Sequence, residues 1–176
     1  RNDEIDMVIH HGRASRRLVF NVGPNAPRLQ LSDKQKENPL KAPMFCMLLR
    51  KHINNGRITD ITQPKLERII RFEIEHLDEL GDLCKKYLIV EIMGKHSNII
   101  FCNDNDRIID SIKHVSAQIS SVREVLPGRD YFIPDTMEKM NPMDVTFDNF
   151  LQALSAKPAE LAKAIYTSFT GVSPVV

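Results

Sequence analysis

The sequence predicts an α+β chain: an antiparallel, β-rich body that carries one helix, followed by a short helical tail. Three observations predict it. Apolar residues alternate in short runs up to about residue 113, each run bounded by turn residues, which is the period-two signature of half-buried strands. Helical spacing of apolar residues occurs once in that body, at 44–53. Strand and helix patterns do not alternate, so the chain reads as a β-meander and not as a βαβ sheet.

Residues 4–10 alternate, with Ile5, Met7 and Ile9 on one side. His11-Gly12-Arg13 suits a hairpin turn, and 17–22 forms the second strand. Pro24 and Pro27 bracket a bend before a brief strand at 28–31, and a polar, lysine-containing loop at 32–38 leads to Pro39. Pro43 fits the first turn of a helix, where its missing N–H costs nothing. Met44, Phe45, Leu48, Leu49 and Ile53 form the stripe by which that helix packs, and Gly56 stops it. Strands at 57–62, 68–75, 87–93, 97–102 and 107–113 complete the body, with a turn at Gly94-Lys95. Beyond an irregular segment around Leu126-Pro127-Gly128, Thr146 or Asp144 caps a helix at 147–154. A second helix starts at Pro158 and ends near Phe169, with Leu161, Ile165 and Phe169 on one stripe. A soft boundary near 140 separates a β-rich domain, 1–140, from a helical segment, 141–176.

Composition narrows the function classes. At 176 residues the chain can bury one ordinary core, and no apolar run approaches the roughly 18 residues of a membrane span. The first residues lack the basic flank and apolar stretch of a signal peptide. The chain does not begin with Met, so an earlier start is expected. Three widely spaced cysteines (Cys46, Cys84 and Cys102) without a CxxC pair argue for reduced thiols rather than a disulfide framework or thiolate zinc site. Net charge is +1, unevenly spread. From Lys41 to Arg57 there are four Lys or Arg and no acid; from Glu73 to Asp82 there are five acids and no base. One-sided nucleic-acid contact and two unrelated solvated faces both fit that layout.

No catalytic constellation emerges. None of the six histidines forms HExxH, and GxSxG and Walker loops are absent, so no metal, cofactor or nucleophilic site is expected. The residues argue for a binding module. Arg50-Lys51-His52 ends the first helix, where cations complement the helix C-terminus by about 0.3–1 kcal/mol or contact phosphate. Glu91 to Asn98 spans strand, turn and strand, either an ordinary hairpin or a polar turn offered to a ligand. Glu67-Arg68 opens a strand after Pro64, so the two side chains would point to opposite faces.

Several strings resemble one family. Ala42-Pro43-Met44-Phe45-Cys46-Met47-Leu48-Leu49-Arg50-Lys51-His52, Gly56-Arg57-Ile58, Leu80-Gly81-Asp82 and Glu91-Ile92-Met93-Gly94-Lys95-His96-Ser97-Asn98 run in the order of NFACT N-terminal domains. So do Ile109-Asp110-Ser111-Ile112-Lys113-His114 and Leu126-Pro127-Gly128, and the likeness covers 38–134 almost continuously. NFACT proteins are ribosome-associated quality-control factors, often labelled fibronectin-binding proteins. The resemblance implies a two-layer β-sandwich flanked by helices, similar to the N-terminal domain of formamidopyrimidine-DNA glycosylases. It also implies that the helical tail begins a helix-hairpin-helix module, and that an opening helix and at least one strand are missing from a longer protein.

The function implied is a cytoplasmic, ribosome-associated one. Such a module binds tRNA, typically alanyl-tRNA, and the large ribosomal subunit holding peptidyl-tRNA, so that stalled chains are tailed without mRNA while the ribosome does the chemistry. The family's Asp-Arg pair implicated in tRNA binding falls on Glu67-Arg68; Arg68 matches, and Glu67 is one methylene longer. Arg50, Lys51, His52, Arg57, Lys95, His96 and Asn98 join them as candidate RNA contacts. Two alternatives follow. One is a fibronectin-binding surface adhesin, which the missing export signal opposes. The other is a glycosylase-like DNA lyase, which needs an N-terminal proline amine where this chain has Arg1.

Overall fold

The computed structural model describes residues 3–134 and 139–174. Arg1, on which the argument against a lyase turns, lies outside the described residues. The chain divides into two compact units: Arg1–Thr62 with Ile69–Phe132, and Gln63–Arg68 with Ile133–Val176.

The first unit holds two antiparallel sheets and a helix. β1 (Glu4–His11), β2 (Ala14–Asn21) and β3 (Arg28–Leu31) form one sheet in that order. Gly12, at φ 59°, closes the β1–β2 hairpin in the left-handed region that suits glycine. Helix α1 (Met44–Ile53) follows, and then a five-stranded meander: β4 (Arg57–Thr62), β5 (Ile69–Leu77), β6 (Leu83–Glu91), β7 (Asn98–Asn103) and β8 (Ile108–Ser111).

One face of the meander turns Phe72, Ile74, Leu88, Val90, Ile99 and Phe101 inward, onto Leu18 and Phe20 of β2, Val22 just past it, and Phe45 and Leu49 of α1. Phe20 meets Phe72 edge-on, ring centroids 5.6 Å apart. The alternation predicts the antiparallel meander with one helix, and the resemblance implies its layering against a second sheet. The meander's second face is also buried, through Ile69, Ile89, Ile100, Cys102 and Ile108. Strands β6 and β7 therefore read as continuous apolar runs, because both faces exclude water.

Several expectations need correction. Met44 does not pack: it is 87% exposed, whereas Phe45 and Leu49 are buried and Leu48 is half-buried against the same core. A helix lying on one sheet buries a narrow stripe, and Met44, at its first turn, falls outside it. Gly56 does not supply the left-handed residue at the end of α1. Asn55 does, at φ 61°, and Gly56 is needed for a different reason. A Cβ there would sit 2.9 Å from Ile74 Cγ2 and 3.0 Å from the Ile53 carbonyl oxygen. Gly56→Ala is expected to cost about 1–3 kcal/mol through this overpacking, read as a lower midpoint in urea unfolding. β5 begins at Ile69, so Arg68 precedes the strand instead of opening it. The turn after β6 is a 3₁₀ turn, Gly94–His96, rather than a tight two-residue hairpin.

In the second unit, α2 (Phe147–Ser155) starts at Thr146, whose hydroxyl accepts the Asn149 N–H at 3.3 Å. Helix α3 (Leu161–Ser168) buries Ala164 and Ser168, with Phe169 buried just past its end, while Ile165 is half-buried and Leu161 is exposed. The rings of Phe150 and Phe169 stack at 5.0 Å, and Phe169 also bridges to Met140. Among the described residues no helix is long and apolar enough to cross a membrane.

Candidate nucleic-acid interface

The candidate residues fall on three local structures. In the first unit, Arg50 and Lys51 stand exposed on the last turn of α1. Lys51 Nζ reaches Glu79 Oε1 at 2.9 Å, and this hydrogen bond holds the Glu79 carboxyl below its ordinary range. Both partners are largely solvated, so the pair is worth little and leaves Lys51 available to a stronger anion. His52 differs. Its ring lies 6.0 Å from that of Phe101 and 6.5 Å from that of His76. Burial, then the neighbouring Lys86 and Lys51 charges, lower its pKa, so it is neutral near pH 7 and contributes no cation. Arg57 opens β4, exposed and opposite Glu75.

The Gly94–His96 turn is built to present side chains. Ser97 Oγ donates to the Gly94 carbonyl at 2.7 Å and accepts the Met93 N–H at 2.9 Å, while Gly94 takes φ 57°. Lys95 and His96 project outward from it. Asn98 is of another kind, buried, with its side chain committed to backbone. Its Nδ2 donates to the Lys113 carbonyl at 2.9 Å, and its Oδ1 accepts from the Ile99 and Lys113 N–H groups. It fastens β7 from a buried position.

In the second unit, Glu67 and Arg68 sit on a turn closed by the Glu67 N–H to the Pro64 carbonyl at 3.0 Å, with Lys65 at φ 48° between them. Gln63 Nε2 donates to the Glu67 carbonyl at 2.8 Å. Leu66 packs against Gly171, where a Cβ would approach within 3.0 Å. The turn is thus fixed by its backbone and by Leu66. Arg68 is exposed and Glu67 half-buried, and neither side chain has a hydrogen bond or ion pair among the described residues. A positioned guanidinium with five free donors is the group that binds phosphate in two-point fashion.

Sequence reasoning passed over one cluster. Glu91, 1% exposed, accepts from Arg123 Nη2 and from the Tyr131 hydroxyl, the latter at 3.0 Å. Arg123 Nη1 also donates to the Phe132 carbonyl at 2.6 Å. Burial, the largest influence, would lower the Arg123 pKa, but the hydrogen bond to Glu91 and the Glu91 and Tyr131 charges together raise it above its ordinary value. Burial, then the Glu91 charge, push the Tyr131 phenol up. The signal was an acid closing an otherwise apolar strand, which needs a partner; Arg123 and Arg129 are the two cations of the following irregular segment. The cluster clamps that segment onto the sheet beside Asn98, which faces Glu91 across β6 and β7. Among the described residues no group of three or more His, Cys, Asp or Glu is placed to hold a metal ion.

Comparison with known proteins decides the family. The pattern for the NFACT N-terminal and middle domains matches residues 1–176. The chain belongs to the NFACT family. It is 43% identical over 172 residues to the Rqc2 homolog RqcH of Bacillus subtilis, covering 96% of this chain and 30% of that protein. It is 31% identical over 147 residues to the archaeal Rqc2 homolog aRqcH of Methanocaldococcus jannaschii, covering 83% of this chain and 20% of that protein. The chain thus spans less than a third of the length of these NFACT relatives. Among solved structures it is similar to a fibrinogen binding protein from Staphylococcus aureus, with TM-score 0.86 and 37% identity over 99% of this chain and 61% of that one. The N-terminal domain of the fibronectin-binding protein PavA from Streptococcus pneumoniae matches with TM-score 0.87 and 32% identity, over 99% of this chain and 65% of that one.

Proposed function

We propose that this NFACT chain is the tRNA- and large-ribosomal-subunit-binding module of a cytoplasmic, ribosome-associated quality-control factor, and that it supports mRNA-independent alanine tailing of stalled nascent chains. The observation that carries the reading is the Glu67-Arg68 turn: a fixed backbone offers an exposed arginine with no partner among the described residues, beside a carboxylate. Arg68 binds a tRNA phosphate. Glu67 accepts from a ribose hydroxyl or a nucleobase amine, since a carboxylate cannot approach phosphate favourably. Arg50, Lys51, Arg57, Lys95 and His96 add phosphate contacts, while Asn98 and the Glu91 clamp hold the framework. The ribosome carries out peptide transfer, and this module supplies recognition.

Salt dependence tests the reading. Binding of alanyl-tRNA to the full-length protein should weaken steeply from low to moderate salt, and Arg68→Ala should reduce the log–log slope by about one unit. Glu67→Asp should retain binding, because it keeps the carboxylate. A slope identical in wild type and Arg68→Ala would remove Arg68 from the interface. The binding named for PavA, a solved relative, supports a second reading, in which fibronectin is an additional partner. Surface plasmon resonance against immobilised fibronectin tests it directly, and absence of binding rejects it.

A further inference from the structure

Strands β5 and β6 run past the sheet that holds them. β4 pairs with β5 only as far as Glu75, and β7 pairs with β6 only from Lys86 onward. Residues 76–85 therefore form a projecting hairpin, supported by their own pairing and flanked on one side by α1 through the His52–His76 and Lys51–Glu79 contacts. Its turn is tightly organised. Asp78 Oδ1 accepts the N–H groups of Leu80 and Asp82, both at 2.9 Å, and the Asp78 N–H donates to the Asp82 carbonyl at 2.9 Å. Gly81, at φ 88°, makes the reversal that glycine permits.

This rigid frame displays leucines to solvent. Leu77 and Leu83 are cross-strand partners, each 67% exposed, and Leu80 at the apex is 88% exposed. Burying such a side chain is favourable, and three at one tip form an apolar patch with no role inside the first unit. Around it acids outnumber bases. Asp78, Glu79 and Asp82 cluster about the tip, whereas Glu75 and the cations Lys85, which pairs with Glu73 at 2.8 Å, Lys86 and Arg57 lie toward its base, and Lys51 meets Glu79 only in a solvated pair at 2.9 Å. The tRNA reading makes no use of this tip or of its Leu80-Gly81-Asp82 string.

We propose that the 76–85 hairpin is a docking finger for a protein partner, inserting its leucines into an apolar pocket rimmed by lysine and arginine. Charge complementarity selects that occupant. An acidic rim repels phosphate, and leucine offers no π-face for a base to stack on, so RNA is a poor fit. A basic rim both attracts the finger and leaves the neighbouring cations of α1 free for nucleic acid. The pre-formed turn lowers the ordering cost of insertion.

The test places a benzoylphenylalanine photo-crosslinker at Leu80 of the full-length protein and uses purified large ribosomal subunits carrying peptidyl-tRNA as the probe. The choice of probe rests on the function proposed above. The expected result is a crosslink to a protein of the particle, at a Lys- and Arg-rich peptide. Leu80→Ser combined with Leu83→Ser should weaken particle binding tenfold or more, with free tRNA binding and melting temperature unchanged. A crosslink to RNA or to a second copy of the chain, or unaltered particle affinity in the double variant, overturns the docking finger and leaves the tRNA reading intact. Failure of the unsubstituted protein to bind either particles or tRNA overturns both.

Discussion

Arg123→Met lowers the stability of the fold by about 3–5 kcal/mol, because it leaves the Glu91 carboxylate buried without its cation. Methionine keeps the apolar stem of arginine, so the loss reports the charge and not a cavity. Only the Tyr131 hydroxyl would remain as a partner, and a neutral donor does not compensate a buried carboxylate. The expected fall in melting temperature is roughly 6–20 °C. Removing both charges separates the pair's net worth from the penalty of breaking it: Glu91→Leu with Arg123→Met should recover most of the stability. A single variant that loses under about 1 kcal/mol would show that the clamp does not hold the 115–132 segment.

Phe72→Ala should cost about 3–5 kcal/mol. Phe72 is fully buried at the centre of the core that the two sheets and α1 share, in edge contact with Phe20. Truncation forfeits the transfer free energy of the ring and opens a cavity that three layers must close together. In urea the midpoint should fall while the slope stays that of wild type. Leu77→Ala, an equally apolar truncation at the hairpin tip, should change stability by no more than about 0.5 kcal/mol. Equal losses at the two positions would contradict this placement of the core.

The contrast between those positions also explains what was legible in the sequence. β3 and β4 were readable to the residue, because turn residues bracket each one. The start of β6 was not. Leu83 to Lys86 pair with β5 but are not buried, and up to Lys85 they have no β7 partner, so no buried face imposes an alternation there. Met44 shares the helical spacing of Phe45 and Leu49, and sequence alone does not say how wide a stripe the sheet will cover. Of the candidate interface, the outward Lys95 and His96 were legible from Gly94, which marks a turn. The internal commitment of Asn98 was not, because its partner Lys113 is fifteen positions away on β8's far side in sequence. A longer separation, 32 positions, hid the pairing of Glu91 with Arg123. Arg68 was read as the first residue of a strand; the turn of Lys65 and Leu66 postpones β5 by one residue and turns a strand position into a displayed loop position.

The central claim is that Arg68 is there to bind tRNA and not to begin a strand. The direct measurement is alanyl-tRNA affinity and melting temperature on the same preparation of full-length Arg68→Ala. The account predicts a melting temperature within error of wild type and an affinity lower by roughly ten- to a hundredfold, the worth of one charge-assisted contact of about 1.5–3 kcal/mol. A lowered melting temperature with unchanged tRNA affinity of the folded protein would contradict it.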